Sequence, residues 1–177
     1  MRIIAGSLGG LQFKSPRGHR THPMSERIRG ALFNSLGNIL DLSVLDAFAG
    51  TGAIAFECVS RGAGEVVAVE SDTNAISTIK QNIKKLRIED RCHATHANVS
   101  GWSNNNKQKV FDLVVADPPY DRPRDILLHK LTRHVADGGL FVLSYPSKVD
   151  DVPKFKGLKL IDTKNYGDAQ LLFYRKV

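Results

Sequence analysis

The most chemically specific segment of this sequence is Asp117-Pro118-Pro119-Tyr120. A carboxylate and the Pro118 carbonyl, adjacent and both acceptors, can hold the two N–H bonds of an exocyclic base amine, of the adenine N6 or guanine N2 type. Held in that way, the delocalised lone pair of the nitrogen turns toward an incoming methyl group, and the charge that develops on it is stabilised. A ring at Tyr120 can stack on a base taken out of its helix. Asp117, Pro118 and Tyr120 are therefore the candidate catalytic residues. A simple turn would account for the prolines, which end a strand without needing hydrogen-bond partners, but not for the rest.

The second set is Asp46-Ala47-Phe48-Ala49-Gly50-Thr51-Gly52, with Glu70 twenty residues beyond Gly50. Glycines between a strand and a helix allow a tight turn and let a ligand approach the backbone at the helix N-terminus. A carboxylate at the end of the next strand can accept hydrogen bonds from both ribose hydroxyls of a nucleoside. This pattern is generic to nucleoside cofactors, and it also fits a dinucleotide fingerprint, so an NAD-dependent oxidoreductase stays open. Asp46 tilts the choice. It would repel a pyrophosphate but can pair with the amino-acid ammonium of S-adenosylmethionine, which carries no phosphate. The candidate cofactor contacts are Asp46, Gly50, Gly52, Glu70 and Asp117, with Phe48 as a core ring whose edge faces the cofactor.

These residues need a scaffold, and the hydrophobic pattern supplies one. Val44 to Phe48 reads as a buried strand, Ala53 to Ser60 as a helix and Val66 to Val69 as a second strand, with Ile76, Ile79, Ile83 and Leu86 as the stripe of a second helix. A strand over Cys92 to Ala97, a polar loop over Ser103 to Lys109 containing Asn104-Asn105-Asn106, and a strand over Phe111 to Ala116 continue the alternation. A helix carrying Leu127, Leu128, Leu131 and Val135 should stop at Asp137-Gly138-Gly139, before a strand over Leu140 to Tyr145. Leu158 to Thr163 and Ala169 to Tyr174, around Gly167-Asp168, predict two antiparallel strands. The class is α/β, a doubly wound, Rossmann-like, mostly parallel sheet with an antiparallel C-terminal end. Ahead of it, Arg2 to Phe13 predicts a hairpin around Gly9-Gly10, and Ser25 caps a helix with Ile28, Leu32, Leu36, Ile39 and Leu40 at helical spacing. Residues 1–41 thus form an extension packed on a catalytic unit of residues 42–177, within one structural domain.

The chain has 177 residues, 25 Lys+Arg against 18 Asp+Glu, and a formal charge of +7. Such a balance attracts polyanions. The excess gathers near the N-terminus, where Arg17, Arg20, Arg27 and Arg29 are candidate RNA contacts. Arg122 and Arg124, just after Tyr120, are candidates for phosphate beside the active site. No stretch is long and apolar enough for a membrane span or a secretory signal, so the cytoplasm is the expected compartment.

The Asp117 to Tyr120 and Asp46 to Gly52 motifs resemble those of class I S-adenosylmethionine-dependent methyltransferases that act on amines. Arg2-Ile3-Ile4-Ala5-Gly6, Ser25-Glu26-Arg27-Ile28-Arg29-Gly30-Ala31-Leu32-Phe33-Asn34 and Tyr166-Gly167-Asp168 resemble the bacterial 16S rRNA guanine-N2 methyltransferase family. The likeness covers nearly the whole chain. It implies a seven-stranded methyltransferase sheet, S-adenosylmethionine as donor, and a guanine of ribosomal RNA as target, presented by the small subunit or an assembly intermediate. Where that family carries an acid beside the adenine, this chain has Asn98, whose amide can still pair with an adenine edge. An N6-adenine methyltransferase acting on DNA or RNA would share both motifs, but would be expected to carry an inserted target-recognition domain.

Other residues read as structural. Cys58 and Cys92 sit in apolar surroundings at no metal-ligand spacing, and His93 and His96 would point to opposite faces of a strand, so no metal is expected. Trp102 reads as a loop aromatic covering the core.

Overall fold

The computed structural model describes residues 1–16, 24–119, 125–148 and 151–177. Its elements are α1 (Glu26–Leu36), β1 (Ser43–Asp46), α2 (Ala53–Ser60), β2 (Glu65–Glu70), α3 (Thr73–Leu86), β3 (Cys92–His96), α4 (Val99–Asn105), β4 (Phe111–Ala116), α5 (Asp125–Leu131), β5 (Val135–Pro146), β6 (Leu158–Tyr166) and β7 (Ala169–Lys176). The seven strands form one sheet in the order β3-β2-β1-β4-β5-β7-β6, parallel from β3 to β5 and antiparallel at β7 and β6. This is the doubly wound arrangement that the strand and helix alternation predicted, with the seven-stranded methyltransferase sheet that the family resemblance implied.

Alternate residues of the central strands enter two cores. Val44, Val66, Leu113 and Val115 pack under α1, α2 and α3, whereas Leu45, Val67, Val114 and Ala116 pack under Trp102, Leu128 and Leu131 of α4 and α5. Strands buried on both faces need apolar residues throughout, which explains the continuous runs in the sequence. The helices start where local chemistry dictates. The Ser25 hydroxyl accepts the Ile28 N–H at 3.2 Å, and the Asp72 carboxylate accepts those of Asn74 and Ala75 at 2.9 Å.

Several expectations are corrected. Arg2 to Phe13 turns back on itself in antiparallel fashion but does not make two full strands: a single bridge joins Arg2 to Gln12, flanked by hydrogen bonds from the Ile3 N–H to the Leu11 carbonyl and from the Phe13 N–H to the Met1 carbonyl, and of the two glycines only Gly10 takes a positive φ. Ser103 to Asn105 are helical, because Asn98 caps α4 by accepting the Gly101 N–H at 2.7 Å; Trp102 is thus a buried helix residue. The helix after Asp117 ends at Leu131, and a 3-10 turn carries the chain into β5. Asp137-Gly138-Gly139 lies inside β5, in a bulge between the pairs Phe111–Val135 and Leu113–Leu140. Finally, α1 stops at Leu36, so Ile39 and Leu40 lie beyond it.

The segment before α1 is fastened along α2 and α3. Glu57 accepts the Ile4 N–H, Ser60 bonds Ala5, Ser7 and Leu8, and buried Asn82 bonds both the N–H and the C=O of Lys14, at 3.0 and 2.9 Å. Gly6 is required here. A Cβ at that position would lie 2.0 Å from the Ser60 carbonyl oxygen, and its φ is +86°.

Candidate active site

The strand order reverses at β1, which pairs with β2 on one side and β4 on the other. Chains leaving a parallel sheet in opposite directions open a crevice at the carboxyl ends of these strands. Asp46 ends β1, Glu70 ends β2 and Asp117 directly follows β4. Three acidic side chains remote in sequence therefore meet at one sheet edge.

Between β1 and α2 the turn depends on two glycines in the left-handed region, Gly50 at φ +53° and Gly52 at φ +80°. The Gly52 N–H donates to the Ala49 carbonyl at 2.7 Å, and a Cβ on Gly52 would meet the Phe56 ring at 2.7 Å. Glu70 holds this turn from outside. One carboxylate oxygen accepts the Gly50 N–H at 2.7 Å, and the other accepts the N–H groups of Ser71 and Asp72, also at 2.7 Å. The carboxylate remains half-exposed at the rim of the crevice, where spare lone pairs can take further donors.

Asp46 lies deeper and is fully buried. Its Oδ2 accepts the Ala55 N–H at 3.2 Å from the first turn of α2, and its Oδ1 has no hydrogen-bond partner. Burial raises its pKa to about 7, and the nearby carboxylates of Asp117 and Glu70 add to the shift. An unpaired buried oxygen is costly, so it marks a place where a donor is missing.

Asp117 is half-buried, Pro118 buried and Pro119 exposed. Burial raises the Asp117 pKa, and a hydrogen bond from the Ser144 side chain opposes that shift. Ser144 reaches it because β5 runs beside β4, with Ala116 paired to Leu143. Tyr120, Arg122 and Arg124 lie outside the described residues, as do Arg17 and Arg20.

The remaining candidates divide. Phe48 is half-buried against the second core, beside the crevice. Asn98 is exposed just beyond β3, with its side-chain oxygen engaged in capping α4. Arg27 is exposed. Arg29 is not available as an RNA contact. It is fully buried, its Nε lies 3.3 Å from Glu57 Oε1, and its Nη2 donates to the Arg2 carbonyl at 2.8 Å. It sits three and four residues before Leu32 and Phe33, on the face of α1 that packs inward, whereas Arg27 faces outward.

Sequence reasoning passed over Glu57, Asn82 and Ser144. Glu57 had a signal: an acid inside Ala53 to Ser60, otherwise apolar enough to be wholly buried, needs a cationic partner. Asn82 and Ser144 gave none, since their partners Lys14 and Asp117 lie 68 and 27 residues away.

Among the described residues no three His, Cys, Asp or Glu side chains are grouped to hold a metal ion, and no helix is long and apolar enough to cross a membrane. Cys58 and Cys92 are free and buried in the first core.

A family model described as conserved hypothetical protein 95 matches residues 1–175. The chain belongs to that family. Among its relatives, YlbH of Bacillus subtilis (strain 168) is 28% identical over 182 residues, covering 99% of both chains. The ribosomal RNA small subunit methyltransferase D of Haemophilus influenzae is 32% identical over 127 residues, covering 68% of this chain and 64% of its own. The solved structure of yhhF from Escherichia coli, a methyltransferase by name, superposes with a TM-score of 0.88 at 26% identity, over 99% of this chain and 97% of the other. Membership of the conserved hypothetical protein 95 family, with these relatives, bears out the resemblance read from Arg2 to Gly6, Ser25 to Asn34 and Tyr166 to Asp168.

Proposed function

We propose that this chain transfers a methyl group from S-adenosylmethionine to the exocyclic N2 amine of a guanine in small-subunit (16S) rRNA, in the cytoplasm. The observation that carries the reading is the meeting of Asp46 and Asp117 at the switch point of the sheet, one with an unpaired buried oxygen and the other at the mouth of the crevice. A small-subunit rRNA methyltransferase among the relatives supports the choice of substrate.

The donor set fits this cofactor. Asp46 Oδ1 lacks a hydrogen-bond donor, which the amino-acid ammonium would supply. Glu70, half-exposed at the rim, would take the ribose hydroxyls, and the Gly50 to Gly52 turn would let the ligand approach the backbone. Phe48 and Asn98 would flank the nucleoside. A carboxylate buried at this turn disfavours the pyrophosphate of NAD.

S-adenosylmethionine supplies an electrophilic methyl group on a positively charged sulfur. Asp117 Oδ and the Pro118 carbonyl would accept the two N–H bonds of the guanine amine and orient its lone pair. The upward shift of the Asp117 carboxyl also suits it to take the proton that the amine loses. Tyr120 would stack on the extruded base. Arg17, Arg20, Arg27, Arg122 and Arg124 would hold phosphates of ribosomal RNA within the small subunit or its assembly intermediate.

The test is incubation with labelled S-adenosylmethionine and small subunits lacking their usual modifications, followed by nuclease digestion and mass spectrometry. N2-methylguanosine in 16S rRNA is the expected product. Label on adenine N6, or none, would overturn the reading.

A further inference from the structure

The carboxylates at the crevice are not equivalent. Glu70 has both oxygens engaged by backbone N–H groups, and Asp117 has the Ser144 hydroxyl. Asp46 is fully buried; the backbone N–H groups of Ala55 and Phe48 bear on its carboxylate, but its Oδ1 has no hydrogen-bond partner. Two backbone N–H groups favour a negative charge there, but none of the titratable groups that face it does: Asp117 from β4, Glu70 from β2, and the thiols of Cys58 on α2 and Cys92 on β3. Burial also pushes both thiols up, Cys92 to about 12, so they stay neutral. A lone anion in this position would lack both water and a counter-charge.

We propose that Asp46 holds a proton in the ligand-free protein, and that the α-ammonium of an adenosyl amino acid displaces that proton to solvent when it binds. Below pH 7 the proton stands in for the ammonium, so the buried site there carries no uncompensated charge with or without ligand. The upward shift of Asp46 to about 7 agrees with this exchange near neutral pH. Its consequence is selectivity. An adenosine thioether without the amino-acid arm leaves the proton in place and forgoes the ion pair, so Asp46 discriminates intact cofactor from its breakdown products. The inference rests on S-adenosylmethionine as cofactor and is independent of which base is methylated.

Calorimetry of the full chain at pH 6 in two buffers of different ionisation enthalpy tests it, with S-adenosylmethionine, S-adenosylhomocysteine and 5′-methylthioadenosine as ligands. Both amino-acid ligands should release close to one proton, falling to about half at pH 7, and methylthioadenosine none. Below pH 7 their dissociation constants should rise by up to about tenfold per pH unit, while that of methylthioadenosine stays flat. Asp46→Asn should abolish the release; the wild-type comparison among the three ligands decides the matter if that variant does not fold. Equal proton release by all three ligands, or none by the amino-acid pair, overturns the proposal while leaving the cofactor reading intact. No heat from any ligand overturns both.

Discussion

The Glu70 carboxylate accepts the backbone N–H of Gly50 at 2.7 Å, tying the end of β2 to the glycine turn after β1. The residue that would hold the ribose therefore also shapes the turn on which the rest of the cofactor would lie. Glu70→Ala should remove both functions. Each charge-assisted hydrogen bond is worth about 1.5–3 kcal/mol, so affinity for S-adenosylhomocysteine should fall by tenfold or more. Glu70→Gln, which keeps one acceptor oxygen, should lose less. Titration calorimetry of the two variants checks the order.

Asp117→Ala should lower kcat by about a hundredfold or more and leave cofactor affinity within a few fold, because the carboxylate acts on the amine rather than on the nucleoside. Ser144→Ala removes only the hydrogen bond to Asp117 and should have a smaller effect in the same direction. Single-turnover methylation alongside cofactor binding separates the two. A proportional loss of binding would assign Asp117 to the cofactor instead.

Arg27 and Arg29, two residues apart, should behave as different kinds of residue. Arg27→Glu should raise the Michaelis constant for RNA and reduce the log–log salt slope by about 0.7–0.9 for each phosphate that the side chain no longer neutralises. Arg29→Ala leaves Glu57 buried with one cation fewer and should cost about 3–5 kcal/mol of stability. Salt-series RNA binding tests the first and thermal unfolding the second.

Asp46→Asn should stabilise the ligand-free protein at pH 8 and weaken its hold on cofactor. Between the ordinary value of 3.8 and the folded value of about 7, the native chain keeps a proton that the unfolded chain has released. The stability associated with the protonated group is thus present at low pH and lost as pH rises through 7. Asparagine stays neutral. Its melting temperature should exceed the wild type by several degrees at pH 8, at about 2–4 °C per kcal/mol for a chain of this size, and the gap should shrink toward pH 4.

How much was legible in the sequence follows from the range of the forces involved. The apolar runs of β1, β2 and β4, the stripe of α3 and the turn around Gly167 are set by neighbours a few residues away, so periodicity and glycine placement identified them. The Asp46 to Gly52 turn, Glu70 and Asp117 were legible because a doubly wound sheet always delivers strand ends to one edge. Longer-range partnerships were not. Arg29 reads as one more cation in a basic stretch, and only the packing of α1 on α2 turns it inward to Glu57. The Asn98 cap, which makes Ser103 to Asn105 helical, and the bulge that absorbs Asp137 to Gly139 depend on how α4 and β5 fit against β4. The carboxylate identity of Asp46 is written in the sequence; its proton affinity is not. That is decided by the loss of water and the approach of Asp117 and Glu70, which exist only once three strands lie side by side.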